Sequence, residues 1–290
     1  MNMLKRFTQL TRATMGGLTA GAILLSGAMI APDAMAGIST TKHNLGSAGT
    51  GTNTFSGTAE LCVFCHTPHG SDTSAVVPLW NRKLSAPGSY TTYDSLGTST
   101  LDGGTAPVGS VSIACLSCHD GTQAMNTMLN APGSGNYDPV NGVTLAGTWT
   151  GPAGTATPVG SLNYATASIV NIGTDLRNDH PVGIEYGGGG LSAATQGGAA
   201  TGAVVDPDFF TPTDTLAGST RVWYVDTGGA GRQKTDIALY TRGPTDHGLG
   251  AGFRPFVECA SCHDPHTDAQ PTFLRTSNAG SAVCLACHNK

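Results

Sequence analysis

Eight cysteines in 290 residues fall into four copies of one pattern: Cys62-Val63-Phe64-Cys65-His66, Cys115-Leu116-Ser117-Cys118-His119, Cys259-Ala260-Ser261-Cys262-His263 and Cys284-Leu285-Ala286-Cys287-His288. No cysteine is left over. C-x-x-C-H is the attachment signature of c-type haem. Two cysteines three apart share one face of a helical turn, so both sulfurs reach the vinyl groups of one porphyrin and the next His faces its iron. A disulfide framework or paired zinc ligands are the alternatives for an exported eight-cysteine chain. Neither requires a His directly after the second Cys four times in four. The spacing therefore predicts four covalently attached haem c groups with proximal ligands His66, His119, His263 and His288.

The sixth position of each iron decides what such a chain can do. Five of the nine histidines lie outside the motifs: His43, His69, His180, His247 and His266. Of seven methionines, only Met125 and Met128 lie beyond the N-terminal leader, so bis-His ligation is the economical reading. It lacks the Met ligand that raises potential. His69 and His266 each follow a proximal His by three residues with a Pro between, too short a step to round a macrocycle, so they are expected to ligate neighbouring haems. Adjacent carboxylates could orient His180 and His247. One of the five is spare, and the Gly-rich, loop-like surroundings of His247 make it the weakly preferred discard.

The elements that position these groups are sparse. A C-x-x-C-H-x-P-H motif followed by Cys-Leu-x-Cys-His spans residues 62–119 and recurs over 259–288, with Pro78-Leu79-Trp80-Asn81-Arg82 answered by Thr272-Phe273-Leu274-Arg275. Duplication of a two-haem unit follows: a first dihaem unit over 37–120 and a second over 256–290. A Gly/Thr/Ala-rich wrapping region over 121–255 lies between, and 37–290 is expected to be one domain. The wrapping region has β-prone runs at Val222–Val225 and Ile237–Tyr240 but no sustained helical period. Charged residues make up 11%, against roughly 25% in ordinary globular chains. Leu, Ile, Val and Phe are too few for a usual core, so haem is expected to supply the apolar mass. The fold class is thus a multihaem cytochrome c, loop-rich, with short helices at the motifs, a few short strands and haems forming the core.

Residues 1–36 read as a secretory signal peptide: Lys5, Arg6 and Arg12, an apolar stretch from Met15 to Ala31, then Ala34-Met35-Ala36 as the cleavage signal. Pro32 and Asp33 argue against a retained anchor, no Cys follows for a lipid, and no later span is expected. The mature chain carries a charge near −7, which excludes a basic nucleic-acid footprint.

These motifs, with Gly37-Ile38-Ser39-Thr40-Thr41-Lys42-His43-Asn44-Leu45, Cys65-His66-Thr67-Pro68-His69-Gly70, Pro78-Leu79-Trp80-Asn81, His119-Asp120-Gly121 and Asn178-Asp179-His180-Pro181, resemble the extracellular tetrahaem filament cytochromes of metal-reducing bacteria, the OmcE type. The similarity is strong at the haem motifs and around His43 and His180, and weak through the Gly-rich middle. It implies four bis-His haems stacked in a continuous chain, polymerised subunits, and distal ligands at His43, His69, His180 and His266. His247 has no counterpart.

Separately, the last motif ends two residues from the C-terminus and His43 lies near the mature N-terminus. This suggests a head-to-tail homo-oligomer in which His43 is donated to the next subunit. The expected function is electron transfer, not catalysis, by an extracellular or cell-surface filament that meets other cytochromes or extracellular metal acceptors. A soluble periplasmic tetrahaem shuttle is the alternative, and an oxyanion reductase is less favoured because a catalytic haem needs an open position. Haem propionates would add to the negative charge and favour basic or metal-rich docking partners.

Overall fold

The structure, a computed structural model, describes residues 37–133, 136–167, 169–178 and 182–289. Residues 1–36, read above as a signal peptide, and His180 lie outside the described residues. Each C-x-x-C-H forms a helical turn. His66 N donates to Cys62 O (2.7 Å), His263 N to Cys259 O (3.1 Å) and His288 N to Cys284 O (3.0 Å). Motif two lies within the longest helix, α1 (Ser112–His119). The third occupies a short helix, Cys259–Cys262, and the fourth begins in Ala282–Leu285.

The duplication is visible in the backbone. His66 pairs in an isolated bridge with Trp80, and His263 with Leu274. Asn81 N donates to Cys65 O (2.8 Å) and Arg275 N to Cys262 O (2.7 Å), while Thr67 N and Asp264 N each donate, at 2.8 Å, to the carbonyls of Leu79 and Phe273. Leu79 (φ 58) and Phe273 (φ 63) both adopt the left-handed conformation, which lets each segment fold back over its motif. Gly70 (φ +67) closes the first copy's C-x-x-C-H-x-P-H turn, where a Cβ would lie 2.5 Å from the Tyr137 ring.

The middle region differs from the expected wrapping loops. Its two β-prone runs become the centre of a five-stranded antiparallel sheet built from β1 (Ile184–Glu185), β2 (Thr213–Ala217), β3 (Thr220–Val225), β4 (Ile237–Arg242) and β5 (Arg254–Val257), in the order β1-β5-β4-β3-β2. Gly218 (φ +63) supplies the first residue of the two-residue loop between β2 and β3. Trp223, Tyr224, Val225, Ile237, Ala238 and Leu239 are all buried, which explains continuous apolar runs in place of alternation. Tyr186, Leu191, Ala193, Trp223, Val225, Ile237 and Leu239 form one side-chain core, against which Val283, Ala286 and Cys287 of the fourth motif pack. Part of the apolar mass assigned to haem is thus supplied by the chain.

Two further clusters flank the first two motifs. Phe55, Phe64, Met125, Met128 and Trp149 belong to one, with Cys65 and Cys118 against it. Trp80, Tyr90, Ile113 and Leu116 belong to the other. Met125 and Met128 are core residues here, 3% and 0% exposed. Among the described residues no helix is long and apolar enough to cross a membrane.

Candidate functional site

No two of the eight cysteines form a disulfide. Burial pushes Cys65 up to about 12, assisted by the Cys118 sulfur, and burial likewise pushes Cys287 up to about 12. Among the described residues no group of three or more His, Cys, Asp or Glu could hold a metal ion unaided.

The imidazoles are paired instead. The His66 and His266 rings lie 6.2 Å apart, 17° from parallel. The His119 and His43 rings also lie 6.2 Å apart, at 70°. With metal–imidazole nitrogen distances of about 2 Å and about 1 Å more to each ring centre, two imidazoles on opposite faces of one iron have centroids about 6 Å apart. Both pairs fit a haem iron between them.

The other ring nitrogen is spoken for in each. Nδ1 of His66 bonds Pro78 O (2.7 Å), that of His119 bonds Val170 O (2.7 Å) and that of His43 bonds Pro265 O (3.3 Å). His266 Nδ1 bonds the Asp264 carboxylate at 3.1 Å. His263 Nδ1 repeats the pattern on Thr272 O (2.8 Å), the repeat equivalent of Pro78. A carbonyl or carboxylate on Nδ1 holds its proton there, which leaves Nε2 bare for a metal and fixes the ring. Burial, with His119, His266 and His263 nearby, also lowers the His43 pKa to about 4, and burial lowers that of His119. Neutral imidazole is the ligating form.

Each histidine singled out in the sequence can now be placed. His266 stands opposite the proximal His of motif one and not that of its own motif. His43 stands opposite His119 of its own chain, stacked on Phe273 (4.4 Å, 13°). Its turn is held by the Pro265 contact and by Asn44 Nδ2 donating to Ser39 O (2.9 Å). His69 is exposed. Its backbone is held by Thr67 and by Asn130 Nδ2 donating to His69 O (2.9 Å), and no ring is set against its imidazole among the described residues. Nor is any imidazole set opposite His288, whose neighbour is the Phe209 ring at 4.2 Å.

His247 is not in a loose loop. It ends the short helix Pro244–His247, is 1% exposed and stacks on Phe256. Nδ1 accepts from Leu249 N (2.9 Å) and Nε2 bonds Gly252 O (3.0 Å), so both nitrogens are committed. Asp246 serves Gly243 N and not the imidazole.

The dihaem units read from the sequence are interleaved. Cys115 and Cys259 lie close enough for each thiol to shift the other, the first upward and the second downward. Ser112 Oγ donates to Glu258 Oε2 and accepts from Cys259 N (3.0 Å), and Arg242 Nε donates to Glu258 Oε1 (2.8 Å). This buried network, the carbonyls of Pro78 and Thr272, and Asp264 were not singled out from the sequence. The repeated Pro78–Arg82 and Thr272–Arg275 segments were their visible trace.

Cysteine pairs on helical turns, each followed by a histidine that in the first three copies has Nδ1 on a backbone carbonyl, indicate a multihaem c-type cytochrome carrying covalently bound haem c. Residues 255–290 match the doubled CXXCH motif family, across the Cys259 and Cys284 motifs. No curated protein matches the chain.

Proposed function

We propose that this protein is an exported tetrahaem electron carrier that polymerises head to tail into an extracellular filament. The observation that carries the reading is that the His66 and His266 rings, and the His119 and His43 rings, each lie 6.2 Å apart, a spacing that would admit one iron between them. When bound, haem iron supplies reversible one-electron transfer. His66 with His266 and His119 with His43 would hold two of the irons, each imidazole oriented at Nδ1 by a backbone carbonyl or Asp264, and so bound those two sites would offer no position to a substrate. That favours electron transfer over an oxyanion reductase.

Polymerisation rests on the unused groups. His69 presents an exposed imidazole on a pinned backbone, and His288 lacks an opposing imidazole among the described residues. A distal ligand on one surface and an uncapped site elsewhere make a heterologous contact, which propagates into filaments when it does not close. His69 therefore takes the subunit-crossing role that the sequence suggested for His43. The resemblance implies His180 as a further distal ligand.

The test is mass spectrometry and negative-stain microscopy of the secreted protein. Four added haem masses, low-spin spectra and filaments that H69A converts to haem-loaded particles are expected. A uniformly monomeric product would favour the soluble periplasmic shuttle, and an open, cyanide-responsive haem the reductase.

A further inference from the structure

Arg82 is a fully buried guanidinium, 0% exposed. Nη1 donates to Met125 O (2.9 Å) and Thr127 O (3.0 Å), and Nη2 to Ser117 O (3.1 Å) and Ala124 O (3.0 Å). Nε has no partner. No carboxylate ion-pairs with it among the described residues. The buried Asp120 carboxylate is engaged elsewhere, accepting from Ser85 Oγ, Tyr90 Oη and the Thr122 backbone and hydroxyl. An unpaired buried charge is costly to keep, and four carbonyl oxygens solvate it without neutralising it.

Its position is specific. Its neighbour Asn81 is bonded to motif one through Cys65 O and through Val63 O (2.7 Å), while Arg82 itself grips Ser117 inside motif two. Ser117 sits between the two cysteines of motif two, and Asn81, next to Arg82 in the chain, donates to Cys65 O, so the charge lies beside an anchor of each motif. The second repeat copies the first part but not the second: Arg275 Nε bonds Ala260 O (2.9 Å) as Asn81 bonds Val63, and Thr276 stands where Arg82 would be. Arg275 itself lies 4.0 Å from the Asp264 carboxylate and keeps some solvent exposure.

We infer that Arg82 is a positioning residue that clamps motif one to motif two and sets a fixed positive charge at their sulfur edges, making their haems the more easily reduced pair. Reduction adds an electron to each iron, and a nearby cation that water cannot screen stabilises that electron more than a paired, partly solvated one does. The inference rests on the haem-carrying reading, which haem mass and low-spin spectra test separately.

The experiment is an optical redox titration of the secreted holoprotein, with haems assigned by the paramagnetic shifts of their thioether and ligand resonances. In R82Q, the haems on His66 and His119 are expected to move to lower potential while the other two stay. R82K, which keeps the charge but not the fork, is expected to remain near wild type. Unshifted potentials in a four-haem R82Q, or R82K moving as far as R82Q, would overturn it. If R82Q does not take up four haems, the wild-type order decides: reduction first at His66 and His119 sustains the inference, and reduction first at His263 and His288 overturns it.

Discussion

The His66 and His266 imidazoles, two hundred residues apart in the chain, lie 6.2 Å apart and 17° from parallel, so the ring set against the first motif's histidine is carried by the third motif's segment. The His119 and His43 planes cross at 70°. Parallel and crossed imidazole planes split the iron d orbitals differently, and low-spin ferric haems of the two kinds give different electron paramagnetic resonance signals. H266A is expected to abolish a rhombic low-spin signal and H43A a large-g one, each leaving four covalent haems and one new high-spin signal. Loss of the same signal in both variants would contradict the pairing.

The Arg242–Glu258–Ser112 network joins β4 to the helices that carry motifs two and three, and Arg242 Nη1 also donates to Pro107 O (2.7 Å). Removing one member leaves the others buried and unpaired. R242M is expected to cost roughly 3–5 kcal/mol in urea unfolding. Burial pushes the Glu258 carboxyl above its ordinary 4.5, against the pull of Arg242. The native state then binds this proton more tightly than the unfolded chain. The associated stability is complete below 4.5 and is lost as pH rises through the native value. E258Q should flatten that part of the stability–pH curve, which denaturation at a series of pH values will read.

His247 has both nitrogens in hydrogen bonds inside the sheet's flank. H247F is expected to lose about 1–3 kcal/mol of stability while all low-spin haem signals persist. A new high-spin signal would make His247 a ligand after all.

Leu79 and Phe273 occupy equivalent left-handed positions, strained for any residue with a Cβ. Leu79 is half exposed, so L79G is expected to raise stability by about 1 kcal/mol, read as a higher urea midpoint at unchanged slope. F273G gains the same backbone relief but loses the ring stacked on His43. It is expected to be destabilised overall and to perturb the signal assigned to the His119–His43 pair.

Haem attachment was legible in the sequence because it is local: two sulfurs and an imidazole are placed by one helical turn, and Cys62 to His66 needs nothing distant to form it. The duplication was legible for the same reason, since Pro78–Arg82 and Thr272–Arg275 are contiguous strings. The sheet was half legible. Val222–Val225 and Ile237–Tyr240 announced strands, but pairing with Arg254–Val257 and Ile184–Glu185 depends on long-range register. Only the tertiary structure decided which imidazoles meet: His266 is set against His66, His43 against His119, and His247 is folded into a core. Spacing along a chain specifies what one turn can reach; which distant segment crosses the opposite face is set by packing.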